Sequence, residues 1–128
     1  MLVPPCRAIL WTPEADPWRE ALKRAGCEVR WVSDEGGAAD LKAHWRPEVV
    51  FMHAVGPGGC GRLRRTPPHL DIVYCALLLP SELAEVQQPA FDDFLVAPVS
   101  AEEVAARVRL WRWQRERISS GLLRAGPL

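Results

Sequence analysis

Arg46-Pro47-Glu48-Val49-Val50-Phe51-Met52-His53 carries the strongest architectural signal in the chain. Val49 to Met52 are all apolar, with none of the polar alternation of a strand that turns one face to water. An unbroken run of this kind marks a strand covered on both faces, as in a parallel sheet. These residues are therefore expected to form a central strand, with Pro47 closing whatever helix precedes it.

The surrounding pattern agrees. Upstream, Ala8-Ile9-Leu10-Trp11 reads as a buried strand that ends in the turn-prone Thr12-Pro13-Glu14-Ala15. Asp16 stands where an N-cap belongs and Pro17 where a first helical residue tolerates proline. Trp18, Ala21, Leu22 and Ala25 then form one amphipathic stripe that stops at Gly26. Cys27 to Val32 is a second strand, and an Asp34-Glu35-Gly36-Gly37 turn leads to a helix with Ala38, Leu41 and Trp45 facing inward.

Downstream, Gly56 to Gly61 cannot be regular, and Pro67-Pro68 leaves space for only a turn or two of helix around Arg62 to Arg65, so the third helix is expected to be stunted. Leu70 to Leu79 contains a fourth strand. Ser81 caps a short helix with Leu83 and Val86, and Phe94-Leu95-Val96 is a fifth strand. Ser100-x-x-Glu103 is a capping box opening a long helix with Val104, Val108 and Trp111 on one stripe. Strand and helix alternate throughout, which predicts an open, doubly wound parallel sheet with right-handed crossovers. In the five-stranded flavodoxin-like form the strand order is 2-1-3-4-5, and the functional crevice lies at the carboxyl ends of the first and third strands.

Composition bounds the function. The chain has 128 residues, 48% of them apolar, enough for one domain with one core. Sixteen basic side chains balance sixteen acidic ones, so no global field favours nucleic acid or a basic partner. Four cysteines lie scattered without a C-x-x-C pair and read as reduced thiols of a cytoplasmic protein. Neither a signal-peptide pattern nor a membrane-spanning run is evident, so no membrane association is expected. Gly56 to Gly61 lacks the lysine and spacing of a phosphate-cradling loop. His53 with Cys60, His69 or Glu14 shows no regular metal-ligand spacing, so no metal and no cofactor are expected.

Several motifs together resemble the response-regulator receiver family, over roughly residues 7 to 118. Arg46 to His53 is similar to the family's "PDLVLLD" strand, and Pro57 and Gly61 fall where "D-x-x-x-P-x-x-x-G" places proline and glycine. Asp92-Asp93-Phe94-Leu95-Val96-Ala97-Pro98 resembles "DDYLxKP", and Glu103 to Arg109 resembles "ELLARVR". The resemblance implies the CheY-like version of the flavodoxin-like fold, with a cis peptide at Ala97-Pro98. It also implies a phosphorylation pocket, and there the sequence departs. A receiver uses an acidic pair for Mg²⁺, an aspartate nucleophile, a hydroxyl and a lysine. The corresponding positions read Pro13 and Glu14, His53, Cys75 and Ala97. The pocket is expected to be degenerate, with no catalytic residue.

The last helix bears Arg107, Arg109, Arg112, Arg115 and Arg117 beside Leu110, Trp111 and Trp113, more apolar surface than one core stripe requires. The resemblance to the OmpR/PhoB type of transcription regulator implies a homodimer through the last strand and helix. Asp93 and Arg107 match one charge pair between subunits and Glu103 matches the acidic member of another, with Trp111 and Trp113 as further contacts. Residues 119–128, ending Leu122-Leu123-Arg124-Ala125-Gly126-Pro127-Leu128, resemble a linker toward a DNA-binding domain that is missing here. The expectation is an atypical pseudo-receiver: a non-enzymatic, dimeric domain that works without phosphorylation and acts on DNA through an attached domain. The alternative is a sensor that binds a small ligand or protein partner in the vacated crevice.

Overall fold

β-branched and aliphatic residues with a period of two build the centre of the molecule. The computed structural model describes residues 4–53, 72–85 and 91–119. Five strands, β1 (Cys6–Trp11), β2 (Cys27–Val32), β3 (Val49–His53), β4 (Val73–Leu78) and β5 (Asp93–Val96), form one sheet in the order β2-β1-β3-β4-β5, all neighbours parallel. This is the expected doubly wound order, with β3 central.

Alternation sorts each strand between two layers. Ala8 and Leu10, Val49 and Phe51, Cys75 and Leu77, and Leu95 face one side. There they meet Leu22 of α1 (Arg19–Arg24) and Val104, Val108 and Trp111 of α3 (Ala101–Ser119). Ile9, Trp11, Val50, Met52 and Tyr74 face the other side, with Ala38 and Trp45 of α2 (Glu35–Trp45). The continuous apolar run of β3 thus has helices on both faces, and Val50, Phe51 and Met52 are fully excluded from solvent.

Local starts and stops differ in places from the pattern-based reading. Asp16 and Pro17 do not open α1. Trp18 is its N-cap residue, and the Ala15 carbonyl accepts from the backbone N–H groups of both Trp18 and Arg19. Burial of Trp18 in the core sets that entry, because a large aromatic outweighs one side-chain cap. Gly36 and Gly37 belong to the first turn of α2, where Asp34 Oδ1 accepts from the Gly37 N–H at 2.7 Å. Gly26 ends α1 with φ at +98°, a conformation that favours glycine.

The segment after β4 is a 3₁₀ turn, Pro80–Glu85, and Leu83 is 47% exposed in place of facing inward. Ser100 does cap α3, its Oγ accepting from the Glu103 N–H at 3.0 Å, while Glu103 reaches forward to Arg107. The peptide before Pro98 is cis, and so is the one before Pro17. The stunted third helix, the Gly56 to Gly61 loop, Cys60, His69, Val86 and the linker beyond Ser119 lie outside the described residues.

Candidate functional site

The crevice predicted by topology sits where β1 and β3 end. The loop after β1 is held by Thr12, which is 1% exposed. Its N–H donates to the Val32 carbonyl at 3.2 Å, its hydroxyl donates to the Glu14 carbonyl, and its own carbonyl accepts from Trp31 Nε1 at 3.0 Å. This pins the loop against β2 and presents Pro13, Glu14, Asp16 and Pro17 along a cleft of about 280 Å³, closed by Trp18, His53 and Leu79.

His53, the last residue of β3, leans across to the segment after β4. Its Nε2 lies 3.0 Å from Glu82 Oε2, with the two side chains only 18% and 12% exposed. An ionised carboxylate only accepts, so Nε2 carries the hydrogen. Glu82 Oε1 meanwhile accepts from the Leu79 N–H at 2.7 Å and so ties the imidazole to the backbone leaving β4. Glu82 was missed from sequence because its partner lies 29 positions away. The local half of the signal, a glutamate three residues after an open N–H, was legible in principle.

The other pocket positions separate. Glu14 and Pro13 line the cleft. Cys75 does not: it is fully buried in mid-strand opposite Phe51, and burial pushes its thiol well above the ordinary range. In the β3–β4 register the residue opposite His53 is Leu77, two positions further on. A strand moves a side chain to the crevice only at its end, so a shift of two buries Cys75 in the helical layer. Ala97 leaves β5 with its N–H on the Leu78 carbonyl at 2.8 Å and packs against the core.

The donor set does not suit the Mg²⁺ that receiver chemistry employs. Glu14 and Asp16 are the carboxylates lining the cleft, and the imidazole is already engaged by Glu82. Among the described residues no group of three or more His, Cys, Asp or Glu is placed to hold a metal ion.

A second cluster joins β5 to α3. Asp93 accepts from Arg107 Nη1 at 2.8 Å on both oxygens, from Trp111 Nε1 at 3.0 Å and from the Phe94 N–H at 2.8 Å. Glu103 Oε2 stands 3.5 Å from Arg107 Nη2. Asp93 and Arg107 are thus paired within one chain, and Trp111, 7% exposed, packs on Phe51 in that chain's own core. Trp113 remains on the surface at 50% exposure, under the Arg117 guanidinium, and Leu110 is also exposed. Asp92, by contrast, stitches β5 to β4, its side chain accepting from the Tyr74 N–H at 2.9 Å.

The sequence matches no protein-family model, and no curated protein matches it. Solved structures do match by shape. A response regulator receiver modulated diguanylate cyclase from Pelobacter carbinolicus superposes with a TM-score of 0.70 at 15% identity, over 90% of this chain and 98% of that one. A response regulator receiver domain protein from Clostridium thermocellum gives 0.68 at 15% identity, over 88% and 98%. NtrX from Brucella abortus, in complex with ADP, gives 0.71 at 15% identity, over 97% of this chain and 31% of that one. Strand order, layer arrangement and these superpositions together establish that the chain has the fold of response-regulator receiver domains.

Proposed function

We propose that this chain is an atypical receiver of the OmpR/PhoB type, a regulatory module and not an enzyme. It works without phosphorylation, homodimerises, and controls an attached DNA-binding domain in two-component-like signalling in the cytoplasm. The observation that carries the reading is His53 tied to Glu82 at the carboxyl end of β3. Phosphoryl transfer depends on cations preorganised around the transferring oxygens. Here the crevice presents Glu14 and Asp16 together with an imidazole already hydrogen-bonded to a carboxylate, and Ala97 brings no charge.

Dimerisation is supported by Leu110 and Trp113, 45% and 50% exposed on α3, and by Phe94, 42% exposed on the edge strand β5. Apolar side chains left outside the core favour a partner surface. A twofold pair would set two attached domains on paired half-sites. Because Asp93 and Arg107 already hold each other, a dimer using them exchanges partners, and Trp113 is the cleaner probe.

Sedimentation equilibrium over a range of concentrations tests the dimer: Trp113→Ser should weaken it, and a monomer at every concentration would refute it. Incubation with Mg²⁺ and acetyl phosphate should leave the mass unchanged. A phosphoryl adduct that disappears in His53→Ala would overturn phosphorylation independence. The cleft beside Trp18 and His53 favours a second reading, a small-ligand or partner-binding sensor. A ligand that raises the thermal midpoint of the wild type but not of His53→Ala would support it.

A further inference from the structure

The opposite end of the sheet holds a pair of sulfur atoms that the regulatory reading does not use. Cys6 and Cys27 are the first residues of β1 and β2 and direct partners in the parallel register. In-register partners project from the same face, and both thiols enter the layer beneath α1 and α3. They are free, and only 4% and 8% exposed. Adjacent strands run about 4.8 Å apart, within the span of about 4.4–6.8 Å between Cα atoms that a disulfide bridges. Strand starts also yield more readily than strand centres, and β2 is an edge strand, so small adjustments there disturb little of the ladder.

We infer that Cys6 and Cys27 form a redox-active dithiol that closes to an intrachain disulfide when the protein meets a hydroperoxide. The environment distinguishes the two sulfurs. Interaction with the neighbouring Cys6 thiol lowers the Cys27 thiol below its ordinary value, against burial and the Glu48 carboxylate and with help from Arg112. The same interaction, and then burial, pushes Cys6 upward. Cys27, on the edge strand and the more exposed of the two, is the sulfur a peroxide reaches first, and is assigned as the attacking thiolate with Cys6 as the resolving thiol.

The Cys27 sulfur attacks one peroxide oxygen, the O–O bond breaks, and the other oxygen leaves as alcohol or water after taking a proton. The resulting sulfenic acid is attacked by Cys6, the S–S bond forms, and the sulfenic oxygen leaves as water with the Cys6 proton. Two thiols lose two electrons and two protons, and the peroxide gains them. The bridge would join β1 to β2 at the base of the sheet, beside the Glu48 carboxylate that Arg112 and Arg115 hold. Access requires local opening of the strand starts, so closure should be slower than oxidation of an exposed thiol.

The test treats the reduced wild-type chain with hydrogen peroxide in native buffer, blocks remaining thiols and maps the digest. The expected result is loss of two hydrogens in mass and one linked peptide joining Cys6 to Cys27. In denaturant the same treatment should scatter bridges among all four cysteines. In Cys6→Ser, Cys27 should persist as a sulfenic acid trapped by dimedone. The wild-type map decides the matter even where that variant fails to fold. Absence of a bridge, a bridge to Cys60 or Cys75 in the folded chain, or overoxidation of Cys27 beside a reduced Cys6 would overturn the inference.

Discussion

Removing the Asp93 carboxylate should loosen the last helix from the edge of the sheet. Asp93→Ala deletes a charged hydrogen-bond pair with Arg107, whose side chains are 31% and 19% exposed for arginine and aspartate. Hydrogen bonds to charged groups contribute about 1.5–3 kcal/mol. It also strands Trp111 Nε1, which donates to Asp93 from a ring only 7% exposed. A buried donor left without a partner costs about 1–3 kcal/mol. Both contacts share one carboxylate, so the losses overlap, and the expected net destabilisation is about 3 kcal/mol. For a domain of this size that lowers the thermal midpoint by roughly 10 °C. Asp93→Asn keeps an acceptor for the indole and should lose about half as much. Urea unfolding followed by circular dichroism gives the values, and Arg107→Met completes a double-mutant cycle. An Asp93→Ala loss below about 1 kcal/mol would refute the reasoning. A loss that shrinks on dilution would instead place the pair between subunits.

Other perturbations have equally definite outcomes. Burial alone would raise the Glu48 carboxyl, but hydrogen bonds and charge from Arg112 and Arg115 outweigh it and hold it below the ordinary value. A depressed folded value means the stabilisation is complete above the ordinary glutamate range and is lost as pH falls through the folded value. Urea midpoints should therefore fall more steeply on acidification in the wild type than in Glu48→Gln. Gly26→Ala, at φ +98°, should cost about 1 kcal/mol although nothing crowds the new methyl. Gly36→Ala meets only Asp34 Oδ1 at 3.6 Å and should stabilise by roughly 0.5 kcal/mol. Gly37→Ala would press on Val32 at 3.2 Å and should be the less stable of the two in the same thermal assay. Leu22→Ala, truncating a core residue 1% exposed, should lose about 2–5 kcal/mol in urea.

Burial periodicity made most of the architecture legible. The apolar run from Val49 to Met52 could only belong to a strand with helices on both sides, and the helical stripes of Ala38 and Trp45, and of Val104, Val108 and Trp111, face the layers they face for the same reason. Boundaries were less legible where tertiary burial competed with local capping. Asp16 and Pro17 make a good helix start on paper, yet Trp18 enters the core and the helix begins after it. Leu83 sits in a turn that Glu82 closes from the side chain, so it stays on the surface.

The chain's own residue order determined the parallel sheet, the loops that meet at its carboxyl edge, and the identities of Pro13, Glu14, His53 and Ala97 near that edge. It did so because alternation and turn chemistry are local properties that neighbours in sequence express directly. Tertiary structure alone decided the pairings of His53 with Glu82, Asp93 with Trp111, Glu48 with Arg112, and Cys6 with Cys27, and it set within one chain the Asp93–Arg107 pair expected between subunits. Each joins residues at least 14 positions apart, and only the strand register and the docking of α3 bring them together. Register also moved Cys75 from the crevice to the core, since a shift of two along a strand keeps the face and changes the depth.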